Sequence, residues 1–138
     1  MKFLCIGYFD AAKMSALTKS ETDAVMGECW PLLAEFYASG HVLLDLGIGE
    51  GTTSLRYADG KVEAVSGGLS GGAAIGSAAI IEAEDLAEAV SIASKHPGPR
   101  VPAGAALGWR HEVRPIHYYH EPKSAEASLA AEAAKAAA

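Results

Sequence analysis

Apolar positions along the chain follow two periods, and the switches between them divide it into elements. Lys2 to Phe9 is a run of strand formers closed by Asp10, which predicts a first strand. Thr18-Lys19-Ser20-Glu21 has the Thr-x-x-Glu form of a capping box, whose hydroxyl and carboxylate satisfy amides that a first helical turn leaves open. Beyond it Val25, Cys29, Leu32, Leu33 and Phe36 recur at helical spacing, with Met26, Trp30 and Tyr37 as a second stripe beside them. Two stripes exceed what one small sheet needs, so part of this helix is expected to meet a partner subunit. Pro31 interrupts the helix interior, where a proline removes a backbone bond. Ser39-Gly40 supplies the stop.

Val42 to Leu46 predicts a second strand, and Thr52 to Tyr57 and Lys61 to Val65 two more. Asp59-Gly60 between the latter pair is a hairpin signal, because the tight turn needs positive φ that glycine supplies. Ser66 to Gly76 holds five glycines in eleven residues, which predicts a mobile loop able to act as a lid. Ser77 to Glu82 reads as a buried strand. Asp85-x-x-Glu88 opens a second helix with Leu86, Ala89, Val90 and Ala93 as its buried stripe, and His96-Pro97-Gly98-Pro99 ends it. Gly108 to Tyr119 predicts a last strand, with Trp109, His111 and Val113 alternating against Arg110, Glu112 and Arg114 and Pro115 marking an edge.

Strand, helix, a run of strands, helix, strand is an α+β order. Its natural packing is a ferredoxin-like antiparallel sheet with two helices on one face. The domain spans residues 1–120. The alanine-rich stretch 121–138 has high helix propensity but no apolar stripe beyond Leu129, so it reads as a helical tail. The sheet's second face is left bare within one chain, which predicts a homodimer through the sheet.

Composition narrows the function more than the fold. Half of the 138 residues are hydrophobic and 20% are charged, which is globular composition. A formal net charge of −6, without a basic cluster, argues against nucleic acid as a partner. The glycine- and alanine-rich run from Gly67 to Ile81 falls short of a membrane span. Two cysteines, Cys5 and Cys29, are too few for a disulfide framework and read as buried thiols, so a cytoplasmic location is the expectation.

Candidate chemistry is sparse. Leu43-Leu44-Asp45-Leu46-Gly47-Ile48-Gly49-Glu50-Gly51 resembles the first motif of S-adenosylmethionine-dependent methyltransferases, in which a strand ends in a glycine turn against the cofactor. A hairpin rather than a helix follows it, so the reading ranks last. Ser66-Gly67-Gly68-Leu69-Ser70-Gly71-Gly72 could nest an anion on backbone amides but lacks the Lys and Ser/Thr of a phosphate loop. His41 and Asp45, four apart, would share a strand face and could act as acid and base if they line a pocket. With His111 and Arg114 they are the candidate catalytic residues. Arg56, Ser66, Gly67, Trp109 and Glu112 are the candidate ligand-binding residues. No metal site and no cofactor are expected from the spacing of the five histidines.

Several segments together resemble the YCII-related (DGPF) family of bacterial proteins. They are Met1 to Tyr8, Ala38-Ser39-Gly40-His41, Thr52-Thr53 with Asp59-Gly60-Lys61, Ile80 to Ala89, His96-Pro97 and Glu112-Val113-Arg114-Pro115-Ile116. The resemblance covers residues 1 to 117. It implies a ferredoxin-like fold that pairs through its sheet into a dimeric α/β barrel, akin to cofactor-free enzymes and small-molecule binders. The signature Asp-Gly-Pro-Phe falls on Ser66-Gly67-Gly68-Leu69, so its acid, proline and aromatic are lost. Thr18 to Val25 has no histidine, so the acid–base pair proposed for one branch does not carry over. The expectation is therefore a small-molecule-binding or regulatory domain, with a cofactor-independent lyase or isomerase using His/Asp chemistry as the alternative.

Overall fold

The computed structural model describes residues 1–68 and 73–137. Four strands, β1 (Lys2–Asp10), β2 (Val42–Gly47), β5 (Ala73–Glu82) and β6 (Arg110–Pro115), form one sheet in the order β2-β5-β1-β6. Every neighbouring pair is antiparallel. Strands β3 (Thr53–Ala58) and β4 (Lys61–Ser66) pair separately as a two-stranded ribbon inserted between β2 and β5. Asp59 and Gly60 both have positive φ, 50° and 80°, as the two-residue turn requires.

Helices α2 (Lys19–Ala38) and α3 (Leu86–Ala93) bury their apolar sides on the same face of the sheet. The fold is the expected ferredoxin-like α+β arrangement. Both helix starts are capped as their sequences demand. Thr18 Oγ1 accepts from the Glu21 amide at 3.1 Å, and Asp85 Oδ1 from the Glu88 amide at 2.8 Å. Helix α2 runs on through Pro31 and stops at Gly40, whose φ is 76°. Phe3, Cys5, Phe36, Ala79, Ile81 and Ile92 are among the residues of the core.

Register assigns each side chain to a face, since directly opposed residues share one. Rows Val42–Ile81–Phe3–Pro115, Asp45–Ala79–Cys5–Val113 and Gly47–Ser77–Gly7–His111 lie toward the helices. Rows Leu44–Ile80–Leu4–Arg114 and Leu46–Ala78–Ile6–Glu112 lie on the outer face.

Several expectations are corrected. The register of β2 slips between Val42 and Leu44, and this extra residue undoes the even spacing that would put His41 on Asp45's face. Strand β5 starts at Ala73 rather than Ser77, so Ala73 to Gly76 are strand residues and not loop. Ala73, Ala74 and Ile75 pair with Asp10, Phe9 and Tyr8, and Gly76, at a register shift, lets the Trp109 and Phe9 rings lie over the strand. The middle of the expected lid, residues 69–72, lies outside the described residues. In α3 the buried side is Ala89, Ile92 and Ala93, while Leu86 and Val90 are half exposed. Strand β6 ends at Pro115, short of Tyr119. Short helices α1 (Ala11–Ser15), α4 (Pro97–Arg100) and α5 (Pro102–Ala106) were not expected. The tail is helical, as α6 (Ser124–Ala137).

Candidate active or binding site

A cavity of about 350 Å³ opens between α2, the helical face of the sheet and the α4–α5 segment. Its origin is visible in the sheet. In the row Gly47–Ser77–Gly7–His111, Gly47 and Ser77 line the cavity with almost no side-chain bulk, while the space over Gly7 is taken by Ser77, His111 and Trp109. A Cβ on Gly7 would lie 2.8 Å from His111 Nε2 and 3.2 Å from the Trp109 ring. Helix α2 spans this hollow with Val25, Cys29 and Leu33, and its second stripe supplies the rim: Met26, Trp30 and Tyr37. These three remain 41%, 59% and 47% exposed in the single chain and line an open cavity.

One wall is polar. The Tyr37 hydroxyl donates a hydrogen bond to Asp45 Oδ2. The slip in β2 is what turns Asp45 inward, in the same row as Ala79 and Cys5. The bond to Asp45 comes first among the causes that push the Tyr37 phenol up to about 12, followed by burial and the carboxylate's charge. Tyr37 therefore stays a donor across the physiological range.

At the opposite side two imidazoles pack with ring centroids 4.4 Å apart. His96 caps α4, its Nδ1 accepting from the Gly98 amide at 3.0 Å, and Phe36 meets it edge-on. His111 Nδ1 lies 3.4 Å from Cys5 Sγ, while its buried Nε2 has no partner among the described residues and faces Gly98 and Gly7. Burial, and then His96, pull His111 down to about 4. Burial also lowers His96, opposed by the charge of Asp45. Cys5 is pushed up to about 11, by burial first and Asp45 second. At neutral pH both rings and the thiol are uncharged.

Of the residues singled out from sequence, Asp45 and Trp109 line this cavity, and His111 packs behind it. Asp45 and His111 stand on opposite edge strands, three strand spacings or about 14 Å apart along the sheet. They form no direct pair. His41 lies outside, its Nδ1 2.8 Å from the Glu82 carbonyl and 3.6 Å from Glu88. Arg114 and Glu112 are exposed on the outer face of β6. Arg56 pairs with Glu63 across the ribbon at 3.3 Å. Ser66 and Gly67 end that ribbon, where the Gly67 amide donates to the Thr52 carbonyl at 2.9 Å. Sequence reasoning missed Tyr37, Ser77 and His96. Tyr37 was assigned to a subunit contact and His96 to a helix stop, and only the register brings them to one hollow.

Gly47 to Gly51 lead into the β3–β4 ribbon and no helix follows, so the methyltransferase likeness stops at the glycines. No group of three or more His, Cys, Asp or Glu among the described residues is arranged to hold a metal ion. None of the described helices is long and apolar enough to cross a membrane.

A family model described as the YCII-related domain matches residues 1–107. The chain belongs to the YCII-related family. The match takes in β1 to β5 and α1 to α5, which supply all of the cavity's lining except Trp109 in this YCII-related domain. Only β6 and the tail helix fall beyond it. No curated protein matches the chain significantly.

Proposed function

We propose that this YCII-related domain is a small-molecule-binding or regulatory module whose site is the cavity between α2 and the sheet. The observation that carries the reading is the cavity itself. Its volume of about 350 Å³ falls in the ligand-pocket range, its lining is mostly apolar, and one polar pair, Tyr37–Asp45, stands at its wall. The second reading is a cofactor-independent lyase or isomerase. A general base works best with a pKa near the operating pH. His111 at about 4 and Cys5 at about 11 are far from it, and the His111 Nε2 faces glycines. Asp45 and His96 are the acid–base groups of the cavity lining left for such chemistry.

A thermal-shift screen against a metabolite library tests the reading, run in parallel on the chain and on Cys29→Phe, which fills the cavity from α2. A native-state ligand raises the melting temperature by mass action. Compounds that stabilise the unmodified chain and leave Cys29→Phe unaffected support it. Equal shifts in both place binding elsewhere and defeat it. Consumption of a hit that is lost in Asp45→Asn would replace binding with catalysis.

We infer further that two copies pair through the outer face of the sheet, as the family resemblance implies. Leu44, Ile80 and Leu4 in one row, and Leu46, Ala78 and Ile6 in the next, give that face an apolar centre bounded by Arg114 and Glu112. Leu44 is 46% exposed in the single chain.

A further inference from the structure

The charges around the cavity restrict what can enter it. Among the described residues its lining contains no lysine or arginine, and Asp45 is its one formally charged residue. His96 lines it as a buried neutral ring, and His111 behind it is neutral as well. A carboxylate or phosphate ligand would therefore meet an acid with no cation to compensate it. Like charges brought together in a partly dry site repel each other strongly.

The same wall suits the opposite charge. A carboxylate has about four acceptor positions, and among the described residues only the Tyr37 hydroxyl is bonded to that of Asp45. Aromatic faces add to it. Trp30 stands at the rim on the same helical side as Tyr37, seven residues or two turns away. Trp109 is fixed in place by stacking on Phe9, with centroids 5.0 Å apart, and by the close approach that Gly76 allows. Indole and phenol rings attract ammonium groups through their faces. The chain's net charge of −6 draws cations to the molecule at longer range.

Resting on the cavity reading above, we propose that the ligand is an apolar organic cation, an amine whose ammonium group sits at the rim against Asp45 and whose flat hydrocarbon body fills the space beneath α2. Asp45 accepts the ammonium hydrogens, Tyr37 holds the carboxylate in place, and Trp30 flanks the charge. Val25, Leu33 and Trp109 enclose the body.

The test is calorimetry on the full chain with matched triplets of probes. Each of a phenyl, an indole and a naphthalene body carries an ethylamine, an ethanol or a propionate arm. A charge-assisted hydrogen bond exceeds a neutral one by enough to make the amine about tenfold tighter than the alcohol. The propionates should not bind. In Asp45→Asn the amine should fall to the level of the alcohol, while alcohol binding persists. Rising salt should weaken the amine and leave the alcohol unchanged, a readout on the unmodified chain that does not depend on the variant folding. Alcohols or propionates binding as tightly as amines would overturn the ligand class and leave the cavity as a binding site. An amine preference that survives Asp45→Asn would also overturn it. If no probe of any triplet binds, the cavity reading falls together with the ligand class.

Discussion

Acidification should destabilise this protein through its two packed imidazoles. His111 titrates at about 4 in the folded chain against an ordinary 6.5, and His96 is shifted the same way. When a folded pKa lies below the unfolded one, the unfolded chain takes up the proton first. Stability is then complete above 6.5 and is lost as pH falls from there toward 4. Each such group contributes a slope of about 1.4 kcal/mol per pH unit inside its window. Taken at face value the His111 shift is worth about 3 kcal/mol, and partial exposure of the ring discounts this to about 1–2 kcal/mol. That is a sizeable share of a typical domain's total of about 5–15 kcal/mol. The assay is urea unfolding followed by circular dichroism at pH 7, 6, 5 and 4.5, on the chain and on His111→Asn. The smaller amide keeps a polar group beside Cys5 and does not titrate in this range. The unmodified chain should lose stability steadily between pH 6.5 and 4.5, and the variant should lose about 1–2 kcal/mol less. An identical decline in both would refute the assignment, as would stability that rises on acidification.

Other substitutions probe the packing beneath the cavity and the outer face. Gly98→Ala places a methyl against His111 Nε2 and should destabilise by about 1–3 kcal/mol in the same urea assay, with part of the loss recovered in Gly98→Ala/His111→Ala. Phe36, fully buried against His96, should cost about 3–5 kcal/mol when cut to alanine, measured by thermal unfolding. Leu44→Lys puts a charge into the apolar outer row and should shift sedimentation at micromolar concentration from dimer to monomer. A monomeric unmodified chain would refute the pairing itself.

Local signals in the sequence were read well where the chain's own backbone decides the outcome. Asp59-Gly60 made its hairpin, and Thr18 and Asp85 capped their helices, because each needs only neighbours in sequence. What depends on register was hidden. His41 and Asp45 share a face by counting residues, yet one extra residue near Leu43 separates them. Gly76 reads as loop in a glycine-rich run and is a strand residue because two aromatic rings lie on it. The cavity floor joins Gly47 and Ser77, two residues distant along the chain that only the strand order lines up. Met26, Trp30 and Tyr37 were recognised as surplus apolar surface, and the hollow beneath them could not be seen from α2 alone.

Backbone amide shifts measured by NMR during titration of a stabilising compound test the central claim most directly. Binding in the cavity predicts changes centred on Val25, Cys29 and Leu33 of α2, on Ser77 and on Gly98 and Gly104. Amides of Arg56, Glu112 and Arg114 should stay still. Shifts confined to the ribbon or to the outer face, with Ser77 and Cys29 unmoved, would contradict the account.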